Sequence, residues 1–300
     1  MDRRILSVML YALLFLLAHV TYLTACTLWG ATGARTKDGG TLIAKNRDKE
    51  PSQHGELRVV ARKGHCFLGL YYTDADERRS IAGGINDRGL CILGASAGSV
   101  PREERNKGGQ GLSEHILISF NSVDAVLKNQ NIFAGTHPVF YIIGDRSKIA
   151  TVEVAPGGKF RVRSTDNGIL CHTNHYLDEK FLRANDKIGK SSLARLKRIQ
   201  ELMTTHASPL TFENFKTFSQ DRHDGPDRSI WRTGGTHEKE RTLATWIASI
   251  PKNGSPTIYV KLANTDEPER IYNLKLDSSF WATHTRSDPL HSNLPAGKTR

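Results

Sequence analysis

The sequence predicts an α+β protein in which helices cover antiparallel sheets. Strand-like segments come first, helical segments follow, and strands then return, without the strand–helix alternation that is typical of parallel α/β sheets. Hydrophobic residues make up 38% and charged residues 24% of the 300-residue chain, as in ordinary soluble globular proteins. No repeat or linker divides residues 26–286, so they are interpreted as one domain, and the polar tail (287–300) is expected to be disordered.

Strands are indicated by short apolar or alternating runs between turn residues. A Lys-Asp-Gly-Gly turn at 37–40 precedes one such run, and a Pro-Gly-Gly turn at 156–158 joins two others. Tight turns between such runs are typical of antiparallel hairpins. The predicted strands cover residues 41–44, 56–60, 65–72, 89–94, 139–143, 149–154, 159–163, 242–249 and 257–262, and another ends near Leu274.

Helices are indicated by a capping residue followed by apolar positions three or four residues apart. Ser113 and Ser122 each open such a segment as the predicted cap. In the longest segment, the apolar residues at positions 193, 196, 199 and 202 predict one buried face. The predicted helices cover residues 113–118, 122–127 and 191–203, and a shorter one begins at Thr211.

The first 25 residues predict a secretory signal peptide. Two arginines precede the almost wholly apolar run 5–20, and the small residue Ala25 stands just before Cys26. A basic, then an apolar, then a small-residue region is typical of a cleaved leader. The mature protein is therefore expected to begin at Cys26, to be exported to the periplasm or the medium, and to keep no stable membrane insertion.

Two other interpretations of this segment remain open. Residues 5–24 could just span a bilayer as an uncleaved anchor, although His19 interrupts the apolar run. The sequence Leu23-Thr24-Ala25-Cys26 also resembles a bacterial lipobox, in which the cysteine sulfur carries a lipid. A lipid would block the sulfur, and the protein would then be a lipid-anchored, non-catalytic envelope protein.

The chain is basic, with a formal net charge of +11 at pH 7. Removing residues 1–25 takes away two arginines and one aspartate, which leaves (42 − 2) − (31 − 1) = +10. The Lys and Arg residues are scattered among Asp and Glu without a long basic run, so a nucleic acid partner is not predicted. A solvated basic surface that favours anionic envelope components is expected instead.

The cysteines and histidines carry no metal or redox motif. The four cysteines form no CxxC pair, and four cysteines in so long a chain are not a disulfide framework. The histidines lack a metal-ligand spacing such as HExxH. Neither a metal nor a cofactor is predicted.

A cysteine that processing leaves at the N-terminus carries its own base. A thiol attacks as its thiolate, and a free cysteine is mostly protonated at neutral pH. The α-amine, whose reference pKa is about 7.7–8.0, can take and return the thiol proton near neutrality. A carboxylate can orient that amine, and N–H donors can stabilise the oxyanion of a tetrahedral intermediate.

Several motifs, in the right order, resemble the choloylglycine hydrolase and penicillin acyltransferase-like group of N-terminal-nucleophile hydrolases. The likeness covers Cys26 to Leu276, nearly the whole mature chain. It implies a four-layer αββα sandwich of two antiparallel sheets and hydrolysis of a C–N bond in a linear amide. The matching motifs are Cys26-Thr27, Asp38-Gly39-Gly40, Lys45-Asn46-Arg47-Asp48, Asn86-Asp87-Arg88-Gly89-Leu90, Gly94-Ala95-Ser96-Ala97, Thr173-Asn174-His175, Ser229-Ile230-Trp231-Arg232 and Arg241-Thr242-Leu243-Ala244.

The resemblance also implies catalytic roles for individual residues. Cys26 would be the nucleophile and, through its free amine, the general base, and Asp48 would hold that amine. Asn174 would donate its side-chain amide to the oxyanion, with the backbone N–H of Ala97 as the second donor. His175 is interpreted as a structural neighbour rather than a catalytic group.

A basic residue from a later segment would complete the site, with Arg228 as the first choice and Arg232 close behind. Lys45 and Ser96 are, with Arg232, the predicted substrate-binding residues, and both depart from the family pattern. Lys45 stands where the family commonly has Arg, and an ammonium cannot copy a bidentate guanidinium. Ser96 and Ala97 replace the Asn and the aromatic residue of bile-salt-cleaving members, which argues against a steroid conjugate as substrate.

The sequence therefore predicts an exported cysteine amidohydrolase that cleaves the linear, non-peptide amide of a small N-acyl compound through an acyl-enzyme on Cys26. The first alternative is an acyltransferase that uses the same site with an amine acceptor. The second is the lipid-anchored envelope protein without catalytic turnover. The sequence leaves the oligomeric state open, and a homo-oligomer is compatible with it.

Overall fold

Two antiparallel sheets of six and seven strands stack face to face in the computed structural model, with helices on both outer faces. The structure describes residues 25–62, 65–205, 209–284 and 289–290. The expected αββα sandwich is confirmed. Of the expected leader only Ala25 lies within the described residues, and of the expected tail only Pro289 and Leu290 do.

The two sheets differ in how they use the chain. The seven-stranded sheet follows chain order, whereas the six-stranded sheet joins strands from both ends of the chain. All neighbouring strands are antiparallel. In spatial order the six-stranded sheet contains β10 (Gly168–His172), β1 (Ala25–Thr32), β2 (Thr41–Lys49), β11 (Arg241–Ile250), β12 (Thr257–Leu262) and β13 (Arg270–Lys275). The other contains β3 (His54–Arg62), β4 (His65–Thr73), β5 (Arg79–Asn86), β6 (Cys91–Ser96), β7 (Val139–Gly144), β8 (Ile149–Val154) and β9 (Phe160–Thr165).

The helices lie in the connections and begin at caps that the sequence partly predicts. Ser122 accepts a hydrogen bond from the Ala125 N–H at 3.2 Å, as predicted. The predicted cap at Ser113 is wrong, because the helix starts at Ser113 itself and Leu112 precedes it. The helices are α1 (Arg102–Arg105), α2 (Ser113–Ser119), α3 (Val123–Lys128), α4 (Lys190–Thr205), α5 (Phe212–Ser219) and α6 (Ser278–Thr283), with short 3-10 segments at Gly33–Arg35, Gln130–Phe133, Pro156–Gly158 and Glu179–Ala184.

Three apolar layers hold the four layers of secondary structure together. Side chains such as Leu28 and Leu93 fill the space between the sheets. Helices α2 and α3 pack on the outer face of the seven-stranded sheet, and α4 and α5 pack on the six-stranded sheet, where Trp29 lies 6.1 Å from Phe215 between ring centroids. Both faces of β1 are therefore buried, which explains why its sequence shows no polar–apolar alternation.

Strand β2 is longer than the predicted strand 41–44 and continues through Lys45, Asn46, Arg47 and Asp48. These four polar residues are all buried. Hydropathy gave no sign of a strand there, because burial of polar residues depends on partners elsewhere in the fold. Strands β1, β5 and β10 were not predicted either, and β6 begins two residues later than the predicted strand 89–94.

Gly83 offers a test of the β5–β6 pairing. It has a φ of +150°, and a Cβ built there would lie 2.5 Å from the Ile92 carbonyl oxygen. We expect Gly83→Ala to lower the free energy of unfolding of the mature protein by about 2–4 kcal/mol. Gly157→Ala is the matched control, because Gly157 has a φ of +79° but open space around its Cβ position, and it should cost about 1 kcal/mol. Equal losses in urea denaturation would show that crowding at Gly83 does not matter.

Candidate active site

Cys26 is the second residue of β1 and lies opposite Arg47 of β2. Its side chain belongs to the apolar layer between the sheets, and the residue is only 2% exposed. Its backbone N–H donates a hydrogen bond of 2.8 Å to Oδ1 of Asn174. The strand therefore holds both the sulfur and the nitrogen of this residue in fixed positions.

Asp48 is a fully buried carboxylate on β2. Its Oδ1 accepts a hydrogen bond of 2.7 Å from the Thr242 hydroxyl. Among the described residues no hydrogen-bond donor reaches Oδ2, and Nη1 of Arg232 lies 3.8 Å from it. Asp48 lies opposite Ala25 in the β1–β2 ladder, so an unpaired carboxylate oxygen is buried next to the residue that precedes Cys26.

Asn174 follows β10 and connects Cys26 to the other sheet. Its Oδ1 faces Cys26 and also accepts from Nη2 of Arg195 at 2.9 Å, while its Nδ2 donates to the carbonyl oxygen of Ser96 at 2.9 Å. An amide nitrogen carries two hydrogens, so Nδ2 keeps one N–H beyond this bond. Ser96, at the end of β6, is half-buried, and Ala97, next to it, is fully buried.

The structure separates the two candidate arginines. Arg228 is exposed in the segment before β11, so it does not join the other predicted site residues. Arg232 is buried, donates to Glu240 at 3.0 Å and lies near Asp48. The preference for Arg228 is therefore corrected in favour of Arg232, because the chain folds back at this point and turns only Arg232 inward.

Lys45 crosses the space between the sheets. Its Nζ donates to the carbonyl oxygens of Ala82 at 3.0 Å and Gly94 at 2.5 Å. Burial lowers the pKa of Lys45 to about 8, and the nearby Cys26 acts in the opposite direction. The ammonium thus reaches both sheets and adds positive charge near the sulfur.

Arg195 on α4 is the central residue that the sequence interpretation missed. It is fully buried, and its Nη1 donates to the Cys26 carbonyl oxygen at 2.5 Å and to the Thr27 hydroxyl at 2.9 Å, in addition to the bond to Asn174. Burial lowers the pKa of its guanidinium, whereas the Asp48 carboxylate raises it. Arg195 therefore fixes the backbone of the cysteine and the side chain of Asn174 together.

A helix-face pattern could have revealed Arg195. The predicted buried face of this helix included position 193, but Leu193 is 48% exposed. The observed buried face contains Ser192, Arg195, Leu196, Ile199 and Met203. An arginine at helical spacing among buried apolar residues indicates a buried charge with a specific partner.

Buried polar contacts hold the loop that carries Asn174. The Ser192 hydroxyl accepts from the Asn174 N–H at 3.0 Å and contacts Nδ1 of His175 at 2.8 Å. Burial lowers the pKa of His175 to about 4, which leaves this histidine neutral at pH 7. Oε1 of Glu153 lies 2.9 Å from Nε2 of His172 and accepts a hydrogen bond of 2.9 Å from the Leu177 N–H. These contacts make the loop a rigid support.

The described part of the chain contains no group of three or more His, Cys, Asp or Glu side chains arranged to hold a metal ion. Its four cysteines are all free thiols. No helix within the described ranges combines the length and the apolar character needed to cross a membrane.

The sequence and the fold both match known proteins. The family model of acyl-coenzyme A:6-aminopenicillanic acid acyl-transferase matches residues 35–267, whereas no curated protein matches the chain at the sequence level. Two structures of variants of the conjugated bile acid hydrolase from Clostridium perfringens are similar, both with a TM-score of 0.54. They are 15% and 14% identical to this chain, and the matches cover 89% and 92% of it and 97% and 100% of those chains.

Penicillin V acylase from Agrobacterium tumefaciens is also similar, with a TM-score of 0.51 and 12% identity over 85% of this chain and 89% of that one. At such identities the structural likeness shows a shared fold. Together with the family match, it confirms the resemblance to the choloylglycine hydrolase and penicillin acyltransferase-like group.

Replacing Arg195 by Met should destabilise the protein. Removing a buried charge lowers the desolvation cost, but the Cys26 carbonyl, the Thr27 hydroxyl and the Asn174 side chain lose their donor. We expect a loss of about 2–4 kcal/mol in the free energy of unfolding, measured by urea denaturation. Arg198→Met, one turn along, is the control: Arg198 pairs with Asp221 where both side chains stay partly exposed, and its loss should cost about 1 kcal/mol. Comparable losses would contradict the central role of Arg195.

The Arg232–Glu240 pair predicts a pH dependence of stability. Burial raises the pKa of Glu240 to about 7, while Arg232 acts in the opposite direction. Because the folded state then binds this proton more tightly than the unfolded state, the free energy of unfolding falls as pH rises from about 4.5 to about 7 and is unaffected by this group above that range.

We therefore compare the free energy of unfolding of wild type with that of Glu240→Gln. Between pH 4.5 and 7.5 the wild-type value should fall by on the order of 2–3 kcal/mol relative to the variant. Denaturation at a series of pH values measures this difference. The control is Glu103→Gln, a substitution at an exposed position of α1, which should show no such trend. A constant difference between wild type and Glu240→Gln would contradict the prediction.

Proposed function

The chain belongs to the acyl-coenzyme A:6-aminopenicillanic acid acyl-transferase family, and from that premise we propose that it is an exported cysteine amidohydrolase whose first mature residue is Cys26. Its substrate is a small N-acyl compound, and the bond that it breaks is a linear, non-peptide C–N amide bond. The family match and the αββα fold support acyl chemistry in general. The arrangement around Cys26 supports the specific reaction.

The observation that carries the proposal is the pair of acceptors at the nitrogen end of Cys26. Asn174 Oδ1 already accepts from this nitrogen at 2.8 Å. Asp48 has a buried oxygen without a hydrogen-bond donor among the described residues, and it lies opposite Ala25, the residue that leader cleavage removes. A carboxylate left unpaired in the interior is costly, and a positively charged α-amine at Cys26 would satisfy it.

The proposed mechanism begins with proton transfer from the Cys26 thiol to its own α-amine. The thiolate attacks the amide carbonyl carbon, and the electron pair of the C=O bond moves to the oxygen. The free N–H of Asn174 Nδ2 and the backbone N–H of Ala97 donate to this oxyanion. When the oxyanion collapses, the C–N bond breaks, and the leaving amine takes the proton from the α-ammonium.

Water completes the cycle. The neutral α-amine of Cys26 takes a proton from a water molecule, which attacks the thioester carbonyl. The second tetrahedral intermediate collapses with release of the carboxylic acid and return of the proton to sulfur. Arg195 and Ser192 hold Asn174 throughout and are positioning residues, since they do not contact the reacting atoms.

The export part of the proposal rests on the leader in the sequence. A basic start, an apolar run and Ala25 before Cys26 fit cleavage between these two residues. Cleavage there serves two purposes in this proposal, because it releases the protein outside the membrane and creates the catalytic base. The same step would supply a base to a cysteine that, among the described residues, has no histidine hydrogen-bonded to it.

Acyl transfer to an amine instead of water is the second candidate, because the matching family model is named for an acyltransferase. Both reactions share the acyl-enzyme on Cys26 and differ only in what attacks it. Product analysis with an added primary amine separates them: a new amide indicates transfer, and free acid alone indicates hydrolysis.

The first test combines intact mass, N-terminal sequencing and activity of protein recovered from the exporting cell. We expect a chain that begins with unmodified Cys26 and hydrolyses N-acyl amides. Cys26→Ala and Asp48→Asn should each lower kcat by about 100-fold or more while both variants stay folded, because one lacks the nucleophile and the other the carboxylate that orients the base.

Cys171→Ala, at a half-buried thiol on β10 outside the site, is the control and should keep its activity. A diacylglycerol mass on Cys26 would overturn the proposal and favour the lipid-anchored alternative. Full activity in folded Asp48→Asn would refute the role of that carboxylate.

A further inference from the structure

Arg47 is a buried cation next to Cys26 that the mechanism above does not use. It lies opposite Cys26 in the β1–β2 ladder and is 1% exposed. Arg47 and Lys45 are two residues apart on β2, so both side chains leave the strand on the same face. Lys45 contacts the other sheet, and Cys26 lies in the same layer between the sheets. The side chain of Arg47 therefore lies in the same layer between the sheets as the sulfur of Cys26.

The contacts of Arg47 leave part of its guanidinium unpaired. The guanidinium stacks on Tyr72, with 4.1 Å from Cζ to the ring centroid, and Nη2 donates to the neutral Oε1 of Gln53. Nε and Nη1 are buried and have no acceptor among the described residues. Charged donors that lack acceptors in the interior are costly, and carboxylate oxygens are the acceptors that match them best.

The charges around the site also favour an anion. Four buried cations stand there against two buried carboxylates, an excess of 4 − 2 = 2 positive charges when all are ionised. Arg232 donates to Glu240 at 3.0 Å and lies 3.8 Å from Asp48, so the two carboxylates lie beside Arg232 rather than beside Arg47. Burial lowers the pKa of the Arg47 guanidinium, and the nearby Tyr72, Cys26 and Glu50 offset this only in part. The six residues are Lys45, Arg47, Arg195, Arg232, Asp48 and Glu240.

We infer that Arg47 binds a carboxylate of the substrate, so that the amide cleaved at Cys26 belongs to an N-acyl compound that carries such a carboxylate. This inference rests on the proposed amidohydrolase function. Tyr72 fixes the plane of the guanidinium, and Gln53, on the turn between β2 and β3, covers it. Both are only half-buried, so they separate the buried guanidinium from solvent, and a substrate carboxylate would have to displace Gln53 to bind Arg47. Arg47 is thus a specificity-determining residue.

Matched substrates test this inference with the mature protein that begins at Cys26. One pair is an N-acyl amino acid and the same compound with its carboxylate replaced by a carboxamide. A second pair is the monoamide of a dicarboxylic acid and its uncharged counterpart. The first pair places the carboxylate on the amine half, and the second places it on the acyl half. Wild type should favour the anionic member of one pair by about 10- to 100-fold in kcat/KM.

Two variants remove this preference in different ways. Arg47→Met keeps the length of the side chain without the charge, and the anionic-to-neutral ratio of kcat/KM should fall to about one. Gln53→Glu leaves Arg47 in place but gives it a competing carboxylate, and it should reduce the ratio in the same direction. Arg163→Met, at an exposed position of β9, is the control and should keep the wild-type ratio.

The outcomes separate the inference from the proposed function. Hydrolysis of both members of each pair at equal efficiency by wild type would overturn the inference and leave the amidohydrolase intact. A ratio that Arg47→Met and Gln53→Glu leave unchanged would also overturn it. If no amide is cleaved, the proposed function fails, and calorimetry on Cys26→Ala still tests the carboxylate site: binding of the N-acyl amino acid no tighter than of its carboxamide would overturn the inference.

Discussion

The register between β1 and β2 is the constraint on which the rest of the site depends. Because side chains of a strand alternate between its faces, pairing Cys26 with Arg47 places Lys45 and Arg47 in the layer that contains the sulfur. The same register places Asp48 opposite Ala25, at the nitrogen end of the cysteine. A shift by one residue would exchange these faces and would put the carboxylate where the cations now lie.

Burying so many charges requires partners from distant parts of the chain. Arg195 comes from a helix, Arg232 and Glu240 from the segment before β11, and the acceptors of Lys45 from the facing sheet. Each contact compensates part of the cost of taking a charged group out of water. The orphaned oxygen of Asp48 and the orphaned nitrogens of Arg47 stand out against this background. The two proposals account for both with one reacting complex, in which the α-amine lies on one side of Cys26 and a substrate carboxylate on the other.

The shared fold supports statements about architecture and general chemistry, whereas statements about the substrate rest on the residues of the site. The family match and the similar structures establish the αββα architecture and a relationship to enzymes of acyl chemistry. Their low identity leaves the substrate to be argued from this chain's own residues. Lys45 and Arg47 place two cations beside the sulfur, and the small residues Ser96 and Ala97 lie near Asn174. This combination supports the proposal of a small, charged N-acyl substrate rather than a bulky apolar one.

The sequence by itself determined the motifs that are local in the chain: the cysteine after the predicted leader, the Lys-Asn-Arg-Asp run, the Thr-Asn-His run and most strands between clear turns. Local patterns suffice there because turn residues and apolar runs act over a few positions. Tertiary structure alone decided that Arg232 rather than Arg228 faces Asp48, that Arg195 joins Cys26 to Asn174, and that the polar half of β2 is buried strand. Those outcomes depend on partners up to 199 positions apart, such as Asn46 and Thr245. Burial of a charge is set by such partners rather than by its neighbours in sequence.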